Sequence, residues 1–194
     1  MKQSGLEWNN ELNNYLIKIG FRRLFREPCL YVKKIKRKSI TCILGVYVDV
    51  ILIAGNKGEI ILVKKQIKNK FKIKEISNVD FIIGIKFIKH TNGYFLNQKR
   101  YILEIIEKFN INNKYPIRNM KPIENKNLRS IKCNETLYRS AIGNLLYLAI
   151  CTRPDIIFPV SKAARKSNNP NMEDWENILR IMRYLKGTIT YGLN

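Results

Sequence analysis

The sequence predicts an α+β fold. Two strongly apolar runs, Ile40 to Tyr47 and Val50 to Ala54, stand two residues apart, which is the layout of a hairpin. Several other stretches repeat apolar residues every three or four positions, as amphipathic helices do. Strand-like runs are confined to the part of the chain before about residue 97, and only helical spacing occurs after it.

Taken in order, Leu12, Tyr15, Leu16 and Ile19 form a helical stripe that ends at Gly20, a suitable C-cap. After Pro28, Cys29 to Lys33 reads as a short extended run. Lys33 to Lys38 holds five basic residues in six and reads as a solvent-exposed turn before the first hairpin. Ile60, Val63, Ile67 and Phe71 predict a helix whose other face carries Lys64, Lys65, Lys68 and Lys72, read as a solvated face. Phe81 to Ile88 and Tyr94 to Leu96 predict a second hairpin around Asn92-Gly93, with His90 in solvent beside the turn. Gln98 to Phe109 returns to helical spacing through Tyr101, Ile102 and Ile105. Residues 110–135 are polar, contain Pro116 and Pro122, lack periodicity and read as a linker. Three helices follow: Thr136 to Ile150, one opened by Pro154 with Asp155 in its first turn, and one carrying Trp175, Ile178, Leu179 and Met182 that ends at Gly187. Trp175 and Met182 are expected in the core, and Trp8 is expected to pack on the first sheet.

Composition bounds the function. Apolar residues make up 45% of the 194, enough to bury a core and to exclude wholesale disorder. Cys42 to Gly55 is too short for a membrane span and is interrupted by Asp49, and Met1 to Asn10 carries no apolar leader. Cys29, Cys42, Cys133 and Cys151 form no C-x-x-C pair and His90 is the single histidine, so a structural zinc site of the usual spacing is excluded. The default expectation is a reduced, intracellular protein without membrane association. The net charge of +21 suits a polyanion such as nucleic acid. It is spread evenly, however: residues 1–56, 57–110, 111–135 and 136–194 carry +6, +7, +4 and +4. The 30 Ile, 24 Lys and 22 Asn residues all have A/T-rich codons, so base composition alone would raise the lysine content.

Asp49 sits in the two-residue loop Val48-Asp49. Tight hairpin loops require positive φ and favour Asn and Gly, and a β-branched residue forced there costs about 1–3 kcal/mol. Either the side chain beside Val48 is being aimed at something, or Asp49 is an ordinary turn residue in a slightly different register.

The residues around this loop resemble those of one family. Tyr47-Val48-Asp49-Val50 resembles the YVDD palm hairpin of copia-type LTR retrotransposon reverse transcriptases. Met1-Lys2-Gln3-Ser4 with Trp8, Gly20-Phe21, and Pro28-Cys29-Leu30-Tyr31-Val32-Lys33 resemble its L-K-Q-S…W, G-F and PCLY segments. Ile83-Gly84-Ile85 with Leu96-Asn97-Gln98 and Tyr101 is similar to its F-L-G-I…L-S-Q-x-x-Y segment. The stretch from Tyr138 to Tyr147, Thr152-Arg153-Pro154-Asp155-Ile156 and Arg183 to Thr188 resemble its connection segment. The ordered set spans essentially the whole chain.

The resemblance implies the C-terminal part of a reverse transcriptase domain from a Pol polyprotein. It implies a partial palm over residues 1–97, a thumb-like helix and linker over 98–135, and a helical connection-like segment over 136–194. It implies Asp49 as the catalytic and metal-binding carboxylate, Gln3 and Tyr47 near the incoming nucleotide, Mg2+ as cofactor, and an RNA template and RNA–DNA duplex as partners. Family members hold two divalent ions on an Asp from an upstream palm strand and the first Asp of YVDD, with the second beside them. Here Val50 stands at the second position and the upstream strand is not in the chain, so one carboxylate of three is present and no polymerase activity is expected from this polypeptide alone. The alternative is a non-catalytic basic nucleic-acid-binding remnant. A palm lacking partner strands is also expected to self-associate through open sheet edges.

Overall fold

A computed structural model describes residues 2–35, 39–76 and 80–194, with the side chains of residues 2–4, 35 and 126 outside the description. The chain divides into two compact units, Met1–Glu75 and Ile76–Asn194. The α+β expectation holds: the described residues form six α-helices and two antiparallel sheets.

In the first unit, α1 (Lys2–Lys18) precedes a sheet of strand order β1-β2-β3-β4, with β1 Arg22–Arg23, β2 Leu30–Ile35, β3 Ser39–Tyr47 and β4 Val50–Gly55; α2 (Lys57–Lys70) follows. Gly20 stops α1 as expected, at φ 94°, a conformation that a Cβ would penalise. Strand periodicity sets the burial. Cys42, Leu44 and Val46 point inward and are buried with Leu12 and Leu16 of α1 and Val63 and Ile67 of α2. Ile51 and Ile53 lean on the same core, and so does Trp8, as expected. The alternate residues Ile43, Tyr47, Val50 and Leu52 face the other way and are exposed.

The basic turn expected at Lys33 to Lys38 needs correction at its start. Lys33 belongs to β2, opposite Cys42 on the inward face, and its ammonium pairs with Glu59 of α2 at 3.0 Å. Lys36, Arg37 and Lys38 lie outside the described residues. On α2, Lys64 (2.7 Å) and Lys68 both bind the carboxylate of Glu75 and hold its pKa down to about 2. This lysine face is therefore partly neutralised from within the unit.

In the second unit, β5 (Phe81–Ile82), β6 (Ile85–His90) and β7 (Gly93–Asn97) form a meander. The single strand expected from Phe81 to Ile88 is two strands, because Ile82 pairs with Ile85 around a tight turn in which Ile83 and Gly84 have φ of 49° and 71°. The second loop is Thr91-Asn92, one residue earlier than expected, and Gly93 pairs with His90 inside the ladder. His90 is exposed, as expected.

Helices α3 (Lys99–Lys108), α4 (Glu135–Cys151), α5 (Ile157–Ala164) and α6 (Met172–Gly187) enclose the second core. Tyr138, Leu145, Leu148, Ile178, Met182 and Leu185 are fully buried there, and Trp175 packs against them, as the helical stripes predict. Asn134 caps α4 by accepting from the Leu137 amide at 2.9 Å. Asn171 and Asp174 form a reciprocal capping box at the start of α6. Pro154 opens a 3-10 turn, Pro154–Ile156, that runs directly into α5.

The aperiodic stretch 110–135 has little regular structure beyond the 3-10 turn Lys126–Leu128, yet it is fastened to α6 by polar bonds. Lys186 donates to the carbonyls of Asn112 (2.6 Å) and Lys114 (3.0 Å), and Arg183 Nε donates to that of Tyr115 (2.8 Å). The Asn177 amide group brackets Ile123, accepting from its N–H at 2.8 Å and donating to its C=O at 3.2 Å. At Gly187 the fit is so close that a Cβ would stand 2.4 Å from the Ile117 carbonyl oxygen. Gly187→Ala should therefore force strap and helix apart and cost about 1–3 kcal/mol, read as a lower unfolding midpoint of the second unit in urea.

Candidate functional site

The β3–β4 hairpin has the register that its sequence implies. Tyr47 pairs with Val50, and Val48-Asp49 is a true two-residue loop. Val48 takes φ 54°, in the left-handed region that β-branched residues avoid. Of the two readings of Asp49, a shifted register is thereby excluded. The loop carries a strained valine, and Asp49 stands exposed beside it at the tip of a hairpin whose inward face is anchored in the core. Tyr47 is 55% exposed at the end of β3, so Tyr47 and Asp49 share one turn. Gln3 lies in the first turn of α1, and its side chain is outside the description. The hairpin thus brings two of the three expected site residues, Tyr47 and Asp49, together.

The donor set at this tip does not suit a carboxylate-held divalent ion. Val50, the residue after Asp49, supplies hydrocarbon and no ligating oxygen. Among the described residues no group of three His, Cys, Asp or Glu side chains is placed to hold a metal. Asp49 is a single exposed anion, and magnesium bound to one exposed carboxylate keeps most of its water.

A second polar constellation, in the Ile76–Asn194 unit, was hidden in the sequence. Arg153 reads there as the residue before a helix-starting proline. In the structure its side chain is 1% exposed. Its Nε donates to Asp155 Oδ1 at 2.9 Å and its Nη2 to Oδ2 at 2.7 Å, a bidentate pair. It also donates to the Thr188 carbonyl at 3.1 Å and hydroxyl at 2.6 Å, and the rings of Tyr184 and Tyr191 each lie 5.6 Å from its guanidinium carbon. Tyr184 donates its hydroxyl proton to Asp155 Oδ2 at 2.8 Å. Neighbouring Thr152 and Gln98, both buried, share a 2.8 Å hydrogen bond. Arg153 therefore locks the α4–α5 corner to the residues that follow α6. The available signal was an Arg and an Asp two apart in an otherwise apolar helical region. Their spacing also fits simple helix-start chemistry, which concealed the burial.

Comparison with known proteins decides the family. Residues 1–125 match the family model described as reverse transcriptase (RNA-dependent DNA polymerase). The chain belongs to this reverse transcriptase family. It is 31% identical over 202 residues to the retrovirus-related Pol polyprotein from transposon TNT 1-94 of Nicotiana tabacum, a match covering 97% of this chain and 15% of that protein. It is 34% identical over its whole length to the retrovirus-related Pol polyprotein from transposon RE1 of Arabidopsis thaliana, of which 13% is covered. A putative transposon Ty5-1 protein of Saccharomyces cerevisiae is 33% identical, with 97% of this chain and 62% of that protein covered. The copia-type Pol resemblance read from the motifs is borne out along the whole chain. The chain spans about one seventh of the length of the plant polyproteins it matches. No solved structure matches it. The family generally uses divalent metal ions and binds nucleic acid templates. Among the described residues no helix is long and apolar enough to cross a membrane.

Two outcomes follow from these sites. Val48→Gly relieves the left-handed valine and should raise the stability of the first unit by about 1 kcal/mol, measured as a higher urea midpoint. Asp155→Ala leaves the Arg153 guanidinium buried with neutral acceptors and should cost about 3 kcal/mol in the second unit. Burial acts to raise the Asp155 pKa, but the hydrogen bonds from Arg153 and Tyr184 outweigh it and hold the carboxyl below its ordinary value. A carboxyl lowered by folding contributes stability above its unfolded pKa of about 4, and that contribution is lost as pH falls through the folded value. Acid titration of wild type from pH 6 downward should show this loss, and Asp155→Ala should flatten it.

Proposed function

We propose that this chain is the part of a transposon reverse transcriptase that runs from a partial palm (1–97) through a thumb-like helix and linker (98–135) to connection-like helices (136–194). We further propose that it performs no nucleotidyl transfer by itself. The observation that carries this reading is the hairpin tip. A strained, well-anchored two-residue loop presents Asp49 beside exposed Tyr47, while Val50 supplies no second carboxylate. In this reading Asp49 is the remaining carboxylate of a Mg2+-dependent centre, and Tyr47 and Gln3 border the incoming nucleotide. The partner is an RNA template and its RNA–DNA duplex inside the cell, held by the backbone through a +21 chain.

The test is primer extension by the purified chain on an RNA template with Mg2+ or Mn2+, beside fluorescence-anisotropy binding of the same duplex. Binding that weakens steeply with salt is expected, with no template-dependent incorporation by either wild type or Asp49→Ala. Incorporation by wild type that Asp49→Ala abolishes would overturn the proposed inactivity. Absence of duplex binding at low salt would remove the nucleic-acid role.

A further inference from the structure

In the second unit the strap, α4, α5 and α6 border a cleft of about 380 Å³. Its walls are fixed from within the unit. Asn177 grips the strap at Ile123, and Tyr138 ties α4 to α5 by donating its hydroxyl proton to the Ala163 carbonyl at 2.9 Å. Small-ligand pockets run from about 300 to 1,000 Å³ and are mostly apolar, with a few converging polar groups. This cleft has that character. Met120, Pro122, Pro159 and Ile181 line it with hydrocarbon. Phe158 lines it too while remaining 77% exposed, which places its ring at the rim. The polar lining falls into two sets. Tyr138 and Asn177 are engaged as above, Asp155 is held by Arg153, and Asp174 accepts from the Asn171 amide at 3.1 Å. Lys162, Lys166 and Arg180 differ: among the described residues their side chains make no hydrogen bond or ion pair. Arg180 Nε is moreover buried without a partner. An N–H removed from water and left unmet is costly, so this guanidinium gains by finding an acceptor. Turning it toward the cleft breaks no bond, since it has none to break.

We propose that this cleft binds a small organic acid, whose aryl or branched-alkyl body fills the apolar floor and whose carboxylate meets Arg180, Lys162 and Lys166. Charge selects the head group. Arg153 balances Asp155, so the three cations face Asp174 as the remaining carboxylate of the lining. A carboxylate also matches the guanidinium edge, accepting from Nε and Nη side by side, and the two lysines add point charge. The floor selects the body. A neutral hydrocarbon would leave Arg180 unmet, and a compact ion such as inorganic phosphate would leave the apolar wall wet. An amphipathic acid satisfies both, and Phe158 gives its body an aromatic contact at the rim.

The probe is naphthoate, titrated into the full chain at about 150 mM salt to damp diffuse attraction to the +21 charge. Calorimetry should give a Kd of about 1 mM or tighter for a ligand of this size. Backbone amide NMR shifts should cluster at residues 158–166 and 174–181, which line the cleft. Naphthamide has the same shape without the charge and should bind at least about tenfold more weakly. Arg180→Met should weaken naphthoate at least about tenfold and leave naphthamide unchanged, whereas a damaged fold would weaken both. Should Arg180→Met fail to fold, the two ligands on wild type decide, together with Phe158→Ala at an exposed position, which should weaken both. Equal affinity for naphthoate and naphthamide, no saturable binding below about 10 mM, shifts scattered over both units, or a folded Arg180→Met that binds naphthoate as well as wild type would each overturn the proposal. Displacement of naphthoate by a short oligothymidine strand would assign the cleft to nucleic acid and overturn it as well.

Discussion

Burial on one side of β3 governs the first unit. Because side chains alternate along a strand, burying Cys42, Leu44 and Val46 against α1 and α2 commits Ile43, Gly45 and Tyr47 to the opposite face. Pairing with β4 extends that commitment to Val50 and Leu52, and the two-residue loop then has no freedom of register. A one-residue slip would relieve Val48 of its positive φ, but it would turn the buried row of the sheet to solvent. The cost of a left-handed valine is small beside the loss of several buried aliphatic side chains. The core thus dictates the strain at the tip, and through it the placement of Asp49.

The second unit solves a different problem with different chemistry. Its helices bury an ordinary apolar core, but the segments between them carry little periodic hydrophobicity. They are held by side chains that satisfy backbone groups: Asn177, Arg183 and Lys186 along α6, and Tyr147 on the Ile83 carbonyl. Arg153 is the extreme case. A guanidinium removed from water is tolerable only when its donors are met, and Asp155 and Thr188 meet four of them. Each of these contacts joins residues that are either adjacent in an unremarkable motif or far apart in sequence.

That difference explains what could be read in advance. The helices were legible because Val63 and Ile67, or Ile178, Met182 and Leu185, sit at spacings fixed by helix geometry. The first hairpin was legible for the same kind of reason. The split at Ile83-Gly84 was not, because an isoleucine at positive φ contradicts local preference and the apolar run looks continuous across it. The fastening of 110–135 was illegible because side-chain-to-backbone bonds leave no period in the sequence. At the candidate site, Asp49 and Tyr47 could be placed by register, because the two apolar runs fix the loop between them. The burial of Arg153 could not, since it depends on Thr188 and Tyr184, both more than thirty residues away along the chain.

The fastening of the strap to α6 also bears on how chain length can vary within the family. Relatives align over 202 positions where this chain has 194 residues, so some carry additional residues. From Asn112 to Ile123 the backbone is pinned at close intervals by Lys186, Arg183 and Asn177, and Gly187 admits no spacer beneath Ile117. An inserted residue there would break the register between strap and helix. From Asn125 to Ile131 the fastening continues, with Arg129 paired bidentately to Glu173 of α6 and the Ile131 carbonyl accepting from the Met172 amide at 2.9 Å. Insertions near these pins therefore meet a register set by hydrogen bonding, within a stretch whose composition looks uniformly permissive.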